Sequence, residues 1–209
     1  MLFQEIIFDQ LIIKSPTIKK RYMNRNKFIT AVLAIATAPL TAFSRLQGIL
    51  QTKKAFVAKA GEGRKHGHIR LKGVNENVLD VKISGTDTNG GLAIFEQTSL
   101  SQGRGTPLHV HPNQDEIFYV LEGSYKFKVG DELFNLSEKD SIFLPRAVPH
   151  AWTQVSAAGK MLVVLQPAGK LESFFVTMAA LDHDPTPDEI GKIFAANEMQ
   201  VVGPSLKVE

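Results

Sequence analysis

Residues 106–123 read Thr106-Pro107-Leu108-His109-Val110-His111-Pro112-Asn113-Gln114-Asp115-Glu116-Ile117-Phe118-Tyr119-Val120-Leu121-Glu122-Gly123, and this stretch decides the fold. In an extended strand residues i and i+2 project from one face, so His109 and His111 point together. Pro112 to Asp115 supply turn chemistry. Glu116 then opens an apolar run in which Phe118 and Val120 share its face. Further on, Ser141-Ile142-Phe143-Leu144-Pro145 forms a second strand-like run and leads to His150 and Trp152, which share a face in turn. Neutral imidazoles and a carboxylate suit divalent transition metals such as iron, manganese, nickel, copper or zinc. A carboxylate aimed into an apolar lining is costly to bury unless a cation compensates it. The spacing therefore predicts one metal ion held by His109, His111, Glu116 and His150.

Outward from this stretch the chain keeps a strand rhythm. Residues 78–83 alternate apolar and polar, and 92–98, 125–129, 133–136, 142–144, 151–155 and 161–165 are further strand candidates, separated by Gly and Asp turns. Many short strands at intervals of about eight to twelve residues argue for an antiparallel sandwich or barrel. The period changes after residue 168. Leu171, Phe174, Phe175, Met178 and Ala179 recur at helical spacing. Thr186-Pro187-Asp188-Glu189 then offers an N-cap, a proline at the first helical position and a glutamate at the third. Ile190, Ile193, Phe194 and Met199 line this second helix, and the apolar residues of both helices are expected to pack on the barrel wall.

At the quoted residues the chain resembles the cupin superfamily, in its single-domain, quercetin 2,3-dioxygenase-like form. The first cupin motif is matched by Gly103 or Gly105, His109, His111, Glu116 and Gly123, and the second by Asp140, Pro145, Ala147 and His150. Two positions depart from it: Lys139 replaces the usual turn glycine, and Gln154 stands where an asparagine often ends the motif. The resemblance spans roughly residues 76–168 and implies an all-β double-stranded β-helix, the jelly-roll barrel, here followed by two C-terminal helices over 169–209. It also implies that His109, His111 and His150 bind the metal while Glu116 binds it and doubles as a base. Phe118, Phe127, Phe143 and Trp152 are then candidates for an aromatic-friendly substrate pocket.

Composition narrows the function classes. The chain has 209 residues, is 44% hydrophobic, contains no cysteine and shows no internal repeat, which suits one domain with a real core and excludes disulfides. Of its 24 basic and 21 acidic residues, six Lys/Arg and two acids fall within residues 1–42, leaving a body of 18 bases against 19 acids. A near-neutral body offers no phosphate-tracking surface, so nucleic-acid binding is not expected. The basic front has the layout of a secretory signal peptide over 23–42: Met23-Asn24-Arg25-Asn26-Lys27, an Ala-rich apolar run, and a cleavage position after Ala42. The run is shorter than the ~20 residues that span a bilayer, so no stable membrane span remains once this leader is removed. Met23 reads as the natural start, with residues 1–22 placed upstream of it. Residues 43–75 read as a linker or N-terminal arm. These features predict a periplasmic or extracellular protein.

The expected activity is metal-dependent dioxygenation of a small aromatic or enolisable substrate. The rivals are a metal-dependent sugar or keto-acid isomerase or epimerase, which needs polar groups lining the barrel, and a non-catalytic metal- or small-molecule-binding module. A homodimer is the default assembly. Three other features read as peripheral: His66-Gly67-His68 as a solvated arm without a carboxylate partner, His183 as an exposed turn between helices, and Arg146 as a rim arginine able to steer an anion.

Overall fold

Alternation of buried and open positions, which fits a pleated strand with one covered face, recurs through the computed structural model, which describes residues 54–208. The leader expected over residues 1–42 lies outside the described residues. The strands are β1 (Ile69–Arg70), β2 (Val78–Ile83), β3 (Ala93–Ser99), β4 (Pro107–Val110), β5 (Asp115–Glu122), β6 (Tyr125–Val129), β7 (Glu132–Leu136), β8 (Ser141–Leu144), β9 (His150–Gln154), β10 (Gly159–Gln166) and β11 (Gln200–Ser205). Two helices, α1 (Leu171–Ala179) and α2 (Pro187–Ala196), fall between β10 and β11. All pairings are antiparallel, in a six-stranded sheet ordered β1-β2-β3-β10-β5-β8 and a five-stranded sheet ordered β11-β4-β9-β6-β7. This is the jelly-roll architecture expected from the sequence.

The inner faces of the two sheets meet over a core that includes Leu79, Val81, Phe95, Phe118, Val120, Tyr125, Phe127, Leu144, Met161 and Leu165, each at most 2% exposed. Two glycines are dictated by geometry. A Cβ on Gly105 would lie within 1.7 Å of the Trp152 carbonyl oxygen, and Gly123 combines a φ of +82° with a close approach to the Ala158 carbonyl. Both departures from the family motif also have local answers. Lys139 takes the left-handed conformation that the usual glycine takes without cost (φ +73°), in a turn closed by the Ser137 amide donating to Asp140 Oδ2 at 2.8 Å. The fully buried Gln154 amide accepts from the Ser101 backbone N–H at 2.9 Å and donates to the carbonyls of Ser156 and Ala157.

Helix α1 buries Leu171, Phe174, Phe175 and Met178, the stripe its spacing predicts. Helix α2 starts with the expected capping box, Thr186 and Glu189 satisfying each other's backbone N–H, with Pro187 at the first helical position. One element was not foreseen. The tail does not end in helix but returns as β11, which pairs with β4 so that Val201 lies opposite His109. Its Pro204 is tolerated because β11 is a sheet edge, where a missing N–H breaks no ladder.

The arm expected to be solvated is mostly exposed where it is described, but it is tied down at several points. Arg64 stacks over Phe56, donates to the Lys82 carbonyl and pairs with Asp87. His66 and His68, read from sequence as lacking carboxylate partners, each have one: Glu172 of α1 at 2.9 Å and Asp80 of β2 at 2.7 Å. Both partners are remote in sequence, so local composition gave no sign of them. Among the described residues no helix is long and apolar enough to cross a membrane.

Candidate metal centre

The two sheets each supply part of the cluster. His109 projects inward from β4 and His111 from the residue following it, while His150 begins β9 and sits directly opposite His109 in the ladder. All three belong to the five-stranded side. Glu116 comes from β5 of the other sheet, flanked in register by Leu144 of β8 and Leu165 of β10. One candidate ligand atom from each residue lies within 4.8 Å of all the others, and all four side chains are buried. His150 Nε2 stands 3.3 Å from Glu116 Oε2, and His111 Nε2 stands 3.8 Å from it.

Second partners orient the imidazoles. His109 Nδ1 donates to the Pro107 carbonyl at 2.8 Å and His150 Nδ1 to the Val148 carbonyl at 3.0 Å. A carbonyl only accepts, so the proton of each neutral ring sits on Nδ1 and the Nε2 lone pair turns toward the cluster. Nε2 of His111 and of His150 have no hydrogen-bond partner although fully buried. Burial, aided by the neighbouring imidazoles, lowers the His109 pKa well below its ordinary value, and burial lowers that of His111 against the opposing pull of Glu116. Both are held in the neutral form that coordinates metals.

Three convergent lone pairs and a carboxylate, shut away from water with unsatisfied nitrogens, are the arrangement a cation resolves and the bare polypeptide does not. The donor set therefore fits a divalent transition metal, held by His109, His111, Glu116 and His150. The loop geometry around it is clamped. Arg146 donates from Nε and Nη2 to the two Asp115 oxygens at 3.1 and 2.5 Å, while its backbone N–H donates to Oδ1 at 2.8 Å. These bonds hold the Asp115 carboxyl down at about 2. Arg146 thus fixes the residue beside Glu116 rather than standing free at the rim.

The centre opens onto a cavity of about 40 Å³. Phe118 and Trp152 line it, as their alternation with Glu116 and His150 required. Phe127 packs behind Phe118, ring centroids 5.1 Å apart, and does not line it. The expectation for Phe143 is corrected. Ile142 and Leu144 take the inner positions of β8, so Phe143 alternates outward and is 57% exposed. Sequence reasoning missed the opposite wall, which comes from the tail: Phe174, Phe175 and Met178 of α1, Phe194 of α2, and Met199. The Phe194 ring meets the His109 imidazole edge-on at 5.3 Å. The helical spacing identified these residues as buried, but nothing in it said what they bury against. Asn75, Gln97 and Thr106 add the few polar groups beyond the ligands.

Residues 97–165 match the family model of the cupin domain, an interval that contains all four clustered residues. That interval is a cupin domain. Among curated proteins, the chain is 26% identical over 137 residues to the quercetin 2,3-dioxygenase of Bacillus subtilis, covering 65% of its own length. It is also 38% identical over 48 residues, 23% of the chain, to an uncharacterized protein of Methanocaldococcus jannaschii. The chain spans 38% of the length of each of these relatives. Solved structures similar to it include an RmlC-like cupin from Shewanella frigidimarina (TM-score 0.39, 19% identity, 56% of this chain and 87% of that one). KdgF from a Halomonas species is another (TM-score 0.40, 18% identity, 44% and 80%).

Proposed function

We propose that this cupin is an exported metal-dependent dioxygenase acting on a small aromatic or enolisable molecule. The observation that carries the reading is the placement of Glu116: a buried carboxylate within 3.3 Å of His150, on the wall of a cavity in which eleven of seventeen lining residues are apolar. The quercetin 2,3-dioxygenase relative supports the same reaction class. A divalent metal held by His109, His111, Glu116 and His150 would supply Lewis acidity toward an enolate and dioxygen.

The polypeptide's own part follows from its geometry. Glu116 accepts the proton of an enolisable substrate, so that the negative charge moves from the carboxylate to the substrate oxygen. His109 and His150, each oriented through Nδ1 by a backbone carbonyl, keep their Nε2 lone pairs aimed at the point where the four ligand atoms converge. Phe118, Trp152 and the tail aromatics exclude water, which strengthens the electrostatics inside and protects a reactive carbanion from protonation. Both atoms of dioxygen enter the product, and the proton returns to it from Glu116. A sugar isomerase would need hydroxyl-binding groups around the cavity, and this wall is mostly hydrocarbon.

The test is oxygen uptake by protein loaded with each of iron, manganese, nickel, copper and cobalt, against a panel of flavonols, catechols and short 1,3-dicarbonyl compounds. Consumption of one dioxygen per substrate, lost in Glu116→Gln, supports the reading. A fully metal-loaded protein that consumes none with any of them refutes it. N-terminal sequencing of secreted or periplasmic material tests export, with a mature end near residue 43 expected.

A further inference from the structure

Resting on the metal-centre reading, we infer that the C-terminal tail makes this a site for small ligands only, and that Phe194 sets the size limit. The cavity beside His109, His111 and Glu116 leaves only about 40 Å³ in which the centre of a water-sized body can lie. So confined a space suits a short oxo compound better than a multi-ring flavonol. The restriction comes from the tail rather than from the barrel. Phe194 is 2% exposed and bridges two walls, its ring 5.3 Å from His109 and 4.7 Å from Phe174. Phe174 continues the contact to Phe175 at 5.6 Å, and Phe175 to Phe95 of the barrel at 5.2 Å. An unbroken row of rings therefore closes the cavity from the candidate ligand to the opposite sheet.

The tail is also fixed to the centre just beyond Phe194. Glu198, just past α2, accepts from Gln114 in the turn between His111 and Glu116 at 3.2 Å, and β11 pairs along β4 opposite His109. The Phe194 ring is packed edge-on against both His109 and Phe174, so room is gained by removing ring atoms. The polar lining is confined to Asn75, Gln97 and Thr106 beyond the ligands, which favours a molecule with a single oxygen-bearing end facing the metal and an apolar remainder.

The test uses the full chain loaded with cobalt(II) and follows its visible absorption during titration with azide, imidazole and 4-phenylimidazole. The wild type is expected to bind azide and to discriminate strongly against 4-phenylimidazole relative to imidazole. Phe194→Ala should relax that discrimination by at least roughly tenfold. Phe194→Leu, a milder change that keeps an apolar filler in α2, should shift it in the same direction and carries the test if the alanine variant does not fold. Phe143→Ala, on the outer face, is the control and should leave the ratio as in the wild type. Equal affinity of the wild type for imidazole and 4-phenylimidazole, or an unchanged ratio in folded Phe194 variants, overturns the inference alone. A chain that takes up no cobalt overturns the metal reading and this inference together. The readout is ligand binding at cobalt and does not depend on dioxygenase turnover.

Discussion

Glu116 and the three histidines do their work through what burial denies them. Each is at most 5% exposed, and Nε2 of His111 and His150 find no partner in the protein. Removing one of four ligands leaves the remaining lone pairs facing each other, so His150→Ala or His109→Ala should weaken metal binding by at least about a hundredfold. Metal content after dialysis against a weak chelator checks this. The same burial gives the metal-free protein a defined pH response. His109 and His111 have folded-state pKa values below the ordinary 6.5, so beneath pH 6.5 the unfolded chain binds more protons than the folded one. Stability must therefore fall as pH drops below 6.5 and flatten above it. Urea midpoints of metal-free protein between pH 5 and 8 should show that slope, and replacing both histidines with glutamine should reduce it. At Asp115 the sign is that of a depressed carboxylate: its contribution is present above the ordinary 3.8 and is lost as pH falls toward about 2.

Among the elements, β4, β5 and β9 were legible because a period of two forces chemistry onto one face. His109 with His111, Glu116 with Phe118, and His150 with Trp152 could be assigned to the interior from spacing alone. Phe143 shows where that logic needs a phase. The run Ser141–Leu144 is apolar at three successive positions, and only the pairing of Ile142 and Leu144 with the inner side of β5 decides which residue is left outside. Strand β11 was illegible for a different reason. Its Gly203-Pro204 pair breaks the apolar run and resembles loop chemistry, and its place is set by the edge of β4 rather than by its own sequence. Turn positions carry a prediction of their own. Lys139 holds a φ of +73° at the turn between β7 and β8, a conformation that costs a non-glycine residue roughly 1–2 kcal/mol. Glycine offsets part of that gain through its larger unfolded-state entropy. Lys139→Gly should therefore raise the unfolding free energy by up to about 1 kcal/mol, measured by urea denaturation at constant slope. Gly105→Ala has no such relief, because its new carbon would fall on the Trp152 carbonyl; it should reduce or abolish folding.

For the molecule as a whole, the decisive feature is that the ligand set straddles the sandwich. Three imidazoles stand on the five-stranded sheet and one carboxylate on the six-stranded sheet. A metal held by all four ties the two layers together at the end that α1, α2 and β11 cover, where the barrel keeps a cavity instead of a filled core. Binding restricted to the native state stabilises it by mass action, about 2.7 kcal/mol at a free metal concentration one hundred times the dissociation constant. For a chain of this length that corresponds to an increase in Tm of roughly 5–10 °C. Metal should accordingly raise the midpoint of a single cooperative transition, and its removal by chelation should lower it again. The contribution of the second sheet can be separated. Glu116→Gln leaves the three histidines of the first sheet in place but removes the charged ligand of the other, so metal should still bind, more weakly, and the thermal increment at equal metal concentration should drop by more than half. Hydrogen exchange gives the spatial counterpart: in the wild type, metal should slow exchange in β5 and β10 as well as in β4 and β9, whereas in Glu116→Gln the slowing should be confined to β4 and β9. Slowing confined to β4 and β9 in the wild type would show that the carboxylate does not ligate and that the metal is held by one sheet.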